Sequence, residues 1–77
     1  MYYVYAIKSV ERNYIYVGLT NNLERRLKQH DAGHEQTTRV YAPFTLIYKE
    51  VCGNRVIARE REKYLKSGSG KEFLKIL

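Results

Sequence analysis

The chain of 77 residues has no tryptophan and a single cysteine, proline and methionine. Each scarcity excludes something. Cys52 alone cannot close an internal disulfide, so packing and hydrogen bonds must hold the fold and no disulfide partner is expected. His30, His34 and Cys52 lack the paired ligand spacing of a structural zinc site. Gly68-Ser69-Gly70 follows no strand pattern and has only two glycines, so no phosphate-cradling loop is present. Cys52 has no histidine or acid placed beside it by sequence, which leaves a cysteine hydrolase unsupported. No apolar run approaches the roughly 20 residues that span a bilayer. The segment Met1–Ile7 lacks the basic leader and length of a secretory signal. A cytoplasmic protein with no membrane partner is therefore expected.

Acidic residues are also few: 8 against 14 lysines and arginines, for a net charge of +6. On a small domain such an excess favours a polyanionic partner, most simply nucleic acid. The length suits one domain over residues 1–77. A chain this short buries only about 60% of its unfolded surface, so any active site is expected to be shallow and set on the face of one sheet.

What the chain does have is tyrosine, eight in all. Residues 2–9 (YYVYAIKS) are aromatic and β-branched and predict a strand, Val10–Asn13 a polar turn, and Tyr14–Leu19 the returning strand. If the hairpin loop holds an even number of residues, Ile7 pairs with Tyr16. Tyr5 and Tyr16 then become diagonal neighbours, roughly 7–8 Å apart at the backbone. An odd loop or a bulge puts them on opposite faces. Asn21, with Glu24 three residues on, predicts a helix cap, and Gly33 a stop after about Ala32. On that helix Leu23 and Leu27 form the expected inward stripe. Arg26 and His30 share one margin of it, and Arg25 and Lys28 point outward. Residues 33–43 read as a loop, with Thr37, Thr38 and Arg39 available to phosphate. Phe44–Val51 predicts a third strand in which Phe44, Leu46 and Tyr48 alternate with Thr45, Ile47 and Lys49. A second helix runs from an Asn54 cap to about Lys66. Residues 67–70 break it, and 71–77 form a short last helix. Arg61 falls within that second helix's apolar face (Ile57, Ala58, Tyr64, Leu65). An internal ion pair or a snorkelling stem is its ordinary explanation.

These residues suit phosphodiester hydrolysis, which needs an activated water, a cation on the phosphoryl oxygens and help for the leaving oxygen. Arg26 can clamp phosphate oxygens and stays charged. Glu62 can hold one hard divalent ion. Tyr5 can accept a proton only beside a cation, because its ordinary pKa is near 10. Tyr16 and His30 can orient water or relay protons. Taken singly, each has a plain structural reading; the combination favours chemistry.

Tyr3-Val4-Tyr5, Tyr16-Val17-Gly18, Arg26, His30 and Glu62 match in order and spacing the GIY-YIG nuclease superfamily, and the resemblance covers nearly the whole chain. It is nearest to the small stand-alone members related to the N-terminal nuclease domain of the excision-repair excinuclease. Residues 58–66 (AREREKYLK) and 70–74 resemble the end of those proteins. The resemblance implies an α/β (α+β) domain of order β-β-α-β-α-α, a three-stranded antiparallel sheet flanked by helices. It implies DNA cleavage with one divalent ion, magnesium or manganese. Tyr5 would then take the water's proton, Tyr16 support the water or metal shell, Arg26 bind phosphate, and Glu62 ligate the metal. His30 falls where members carry a His or Tyr near the reacting centre. DNA, duplex or branched, would contact Arg25, Arg26, Lys28, Thr37, Thr38 and Arg39, with other proteins supplying recognition. Two departures stand out: Tyr3 replaces the first motif's glycine, and Leu19 stands where the repair nuclease has a lysine. No clear asparagine stands near the C-terminus, where some members place one, which leaves Ser67, Ser69 or nothing to fill that space. A non-catalytic nucleic-acid-binding or adaptor module on the same fold is the alternative. A purely structural interaction domain ranks third.

Overall fold

A computed structural model describes residues 1–77. The strands are β1 (Tyr2–Ser9), β2 (Ile15–Thr20) and β3 (Phe44–Cys52), and the helices α1 (Leu23–Asp31), α2 (Arg55–Lys66) and α3 (Gly68–Lys75). One turn of 3₁₀ helix, Arg39–Tyr41, interrupts the loop before β3. The sheet is antiparallel in the order β2-β1-β3, which is the expected α+β architecture.

β1 is the central strand, and alternation along it divides the molecule. Val4 and Ala6 point to one face and join Val17, Cys52, Ala58, Leu65 and Leu74 in a single apolar core. α2 and α3 cover that face. Tyr5 and Ile7 point to the other and are equally buried, with the His30 ring of α1 lying against Tyr5. Ile7 pairs with Tyr16 and Tyr5 with Gly18, the register of the even loop. Tyr5 and Tyr16 therefore share the α1 face.

The strict alternation expected of the third strand fails. The β1–β3 register shifts between Ala6 and Ile7, from Tyr48 to Leu46. That bulge lets consecutive residues Ile47 and Tyr48 both pack against the apolar core.

Three helix expectations also need correcting. The cap of α1 is Asn22 rather than Asn21: its side chain accepts from the Arg25 amide at 3.1 Å. The inward residue of α1 is His30, while Leu23 and Leu27 are only half-buried, because the sheet face below offers tyrosine hydroxyls that require a polar partner. The Ser/Gly segment starts α3 instead of merely breaking α2, since Ser67 caps it and the helix begins at Gly68. Gly70 sits so close to α2 that a Cβ there would overlap the Tyr64 carbonyl. Its missing side chain is what lets Leu74 reach the core. The Asn54 cap and the α2 end at Lys66 are as predicted.

Arg61 has its ordinary explanation. Its Nε donates to Glu50 Oε2 at 2.8 Å, and the Tyr48 hydroxyl donates to Glu50 Oε1 at 2.7 Å. The pair ties α2 to β3. Burial works to raise the Glu50 pKa, but the Tyr48 and Arg61 hydrogen bonds outweigh it and hold it below the usual carboxylate range. No helix is long and apolar enough to cross a membrane.

Candidate active site

Four of the sequence-predicted residues converge on the α1 face. β1 carries Tyr5, its hairpin partner β2 carries Tyr16, and α1 carries Arg26 and His30 one turn apart. The ring centroids of Tyr5, Tyr16 and His30 lie 5.0 to 6.3 Å from one another. Gly18 makes this possible: a Cβ there would stand 2.7 Å from the Tyr5 hydroxyl and 2.9 Å from the Tyr16 ring.

Behind the cluster runs a buried polar chain. The Tyr5 Oη lies 2.8 Å from His30 Nε2, and His30 Nδ1 lies 3.0 Å from Thr38 Oγ1. Tyr5, His30 and Thr38 are all fully buried. A neutral ring with its proton on Nδ1 satisfies both contacts, donating to Thr38 and accepting from Tyr5. Burial and the nearby Arg26 charge push the His30 pKa down, against weaker pulls from Glu35 and Asp31. Burial raises the Tyr5 pKa to about 12, despite the opposing Arg26 guanidinium. Tyr5 is then ionised in roughly one molecule in 10⁵ at pH 7, so the cation beside it does not make it a ready base.

Arg26 stands at the rim. Its Nη2 donates to Glu35 Oε2 at 2.8 Å and its Nη1 to Gln29 Oε1 at 3.2 Å, while Thr37 donates to the other Glu35 oxygen at 2.9 Å. Burial works against the Arg26 charge, but Glu35 and the Tyr5 and Tyr16 hydroxyls outweigh it and raise its pKa. Hydrogen bonds from Arg26 and Thr37 in turn lower that of Glu35. A carboxylate thus occupies the fork that would grip a phosphate.

The remaining predicted residues fall elsewhere. Thr38 is not available to phosphate, since it is buried against His30. Arg25 and Arg39 are exposed, and Lys28 pairs with Glu24 at 3.4 Å across one turn of α1. Glu62 lies on α2, the helix over the opposite sheet face, and pairs with Lys66 at 3.3 Å. No hydrogen bond or ion pair joins Glu62 to the tyrosine cluster. Glu35 was not anticipated: nine positions beyond Arg26 in an irregular loop, it has no periodic signal.

A family model, the GIY-YIG catalytic domain, matches residues 1–75. The chain belongs to the GIY-YIG family. Among its relatives, a UPF0213 protein of Clostridium perfringens is 37% identical over all of this chain and 83% of its own length. One from Staphylococcus haemolyticus is 34% identical over 99% of this chain and 93% of its own. The solution NMR structure of a UPF0213 protein from Bacillus halodurans is similar, with TM-score 0.57 and 31% identity over 96% of this chain and 82% of that one. The GIY-YIG fold and family being shown, a nuclease function in general follows.

No three His, Cys, Asp or Glu side chains come together in a metal-binding group, and every buried side-chain polar atom has a partner. A preformed protein cage for a metal is therefore not part of this GIY-YIG domain. The lone Glu62 carboxylate is a hard oxygen donor of the kind a divalent ion takes at phosphoryl sites, where one or two carboxylates act together with substrate phosphates and waters.

Proposed function

We propose that the protein is a metal-dependent endonuclease that hydrolyses phosphodiesters in DNA. The observation that supports this best is the Arg26 guanidinium, kept charged at the rim of the Tyr5–Tyr16–His30 cluster and held by a carboxylate that a phosphate can replace. Arg26 would exchange Glu35 for the scissile phosphate and offset the charge that develops on its oxygens. Tyr16, half-buried at the free edge of the sheet, would orient the attacking water. Tyr5 and His30 act as a pair: as Tyr5 receives the water's proton, its own passes to Nε2 of the neutral His30, so free tyrosinate is not required. Glu62 would hold the divalent ion, which when bound supplies positive charge at the phosphoryl oxygens. Arg25 and Arg39 would add phosphate contacts.

The full burial of Tyr5 and His30 is the one observation that favours a non-catalytic binding module. Cleavage of supercoiled, linear and branched DNA, with magnesium or manganese against chelator, decides between them. Arg26→Ala and Glu62→Ala are expected to cut at least about 10²-fold more slowly than wild type, the usual loss of one charge-stabilising group, with unchanged circular dichroism. Metal-independent cutting would remove Glu62 from the mechanism, and a wild-type rate in either variant would remove the residue substituted. A folded wild type that binds DNA and cuts none of it would establish the binding module.

A further inference from the structure

A depression of about 730 Å³ lies away from Arg26. It lies between the hairpin and the α2–α3 corner, on the sheet face opposite α1. Four lysines from three elements line it: Lys8 at the end of β1, Lys66 at the end of α2, and Lys71 and Lys75 on α3. No Asp or Glu is among the lining residues. Its floor is apolar, from Ile15, Val17, Ile47 and Leu74, and Tyr14 and Tyr16 stand at its hairpin wall. The ammonium groups of Lys8 and Lys71 take part in no ion pair or hydrogen bond, whereas Lys66 and Lys75 pair with Glu62 and Glu72.

We propose that this groove is a binding site for the sugar–phosphate backbone of a nucleic-acid strand. The proposal rests on the nuclease reading above and extends it by giving the strand a path across the molecule. Two unpaired ammonium groups, with two more whose partner acids Glu62 and Glu72 lie outside the lining, give the groove a positive field, and phosphate is the ligand such a field selects. Two members of the candidate site also belong to this groove or touch it. Tyr16 lines it from the edge strand β2, and Lys66 links it to Glu62. A strand lying there passes from the lysines over the sheet edge toward Arg26, and so spans two elements of the site that no direct contact joins.

The test is the salt dependence of binding by the full chain to a labelled oligonucleotide, single-stranded and duplex, in chelator so that no cleavage is needed. The double variant Lys8→Gln/Lys71→Gln removes the two unpaired ammonium groups and no internal contact, so its melting temperature should match the wild type. The slope of log K against log salt should fall by nearly two for duplex, at about 0.9 per phosphate contact, and by somewhat less for a single strand. Arg59→Gln/Lys63→Gln, on α2 but outside the groove, should keep the wild-type slope. Equal slopes for the groove variant and wild type would overturn the groove, and the nuclease reading would survive if the wild type still cuts. A reduced slope in the groove variant, with a wild type that cuts nothing, would support the groove and sink the nuclease reading. Absence of any binding at low salt would overturn both.

Discussion

The two faces of the sheet are built from the same strands and could hardly differ more. The α2–α3 face is an apolar core of small and branched side chains, held by volume and shape. The α1 face buries Tyr5, His30 and Thr38, side chains that tolerate burial only because each finds a hydrogen-bond partner. One face makes the domain stable; the other holds a charged rim in place at some cost in stability. In a chain with room for one small core, this division explains how a polar site is supported. The site leans on a sheet whose stability comes from the other side.

The sharpest way to break the comparison is in the apolar face. Leu65 is fully buried, and Leu65→Ala should cost about 2–5 kcal/mol in denaturant unfolding, by lost transfer and a residual cavity. The folded fraction should bind DNA as wild type does. If affinity per folded molecule collapses as well, the two faces are not independent.

A smaller effect should come from acid on the polar face. The folded His30 pKa lies below that of the unfolded chain, so the unfolded state binds more protons as pH falls below about 6.5. Stability is thus full above that pH and declines beneath it. The groups facing the ring are Arg26, Glu35, Asp31, Tyr5 and Tyr16, and of these Glu35, with its own lowered pKa, adds losses only at more acidic pH. Melting temperatures should drop from pH 7.5 to 5.5 in wild type and stay flatter in His30→Gln, which starts lower. Parallel pH curves would remove His30 as the source.

The smallest expected change sharpens the role of the rim. Glu35→Gln removes a half-exposed ion pair, which usually contributes about 0–1 kcal/mol. Its larger consequence should be tighter DNA binding, several-fold at low salt, since phosphate no longer competes with a carboxylate for Arg26. Unchanged or weaker binding would mean that Glu35 positions the guanidinium and does not block it.

Most of the fold was legible because its signals are local. The hairpin, the Asn54 cap and the Gly33 stop at φ +75° each depend on a few adjacent residues. Errors arose where tertiary contact overruled a local rule. Two asparagines stand side by side, and only the approach of the chain to α1 selects Asn22. Helical periodicity gave the inward place to Leu23 and Leu27, but hydroxyls on the sheet draw His30 inward instead. Thr38 read as a loop residue open to phosphate until the fold buried it as a partner for His30.

The register that sets Tyr5 and Tyr16 on one face was decided by the structure. By itself, the order of residues determined the element sequence, the antiparallel hairpin that carries the two tyrosines, the α1 turn that pairs Arg26 with His30, and the basic balance. These rest on alternation, on 3.6-residue periodicity and on composition, none of which needs distant parts of the chain. Only the tertiary structure decided that Glu35 occupies Arg26, that Tyr5 is sealed behind the site with its pKa raised to about 12, and that Lys8 meets Lys66, Lys71 and Lys75 in one groove. Burial and charge proximity are properties of space, and residues far apart in the chain become neighbours only when the sheet and its helices close.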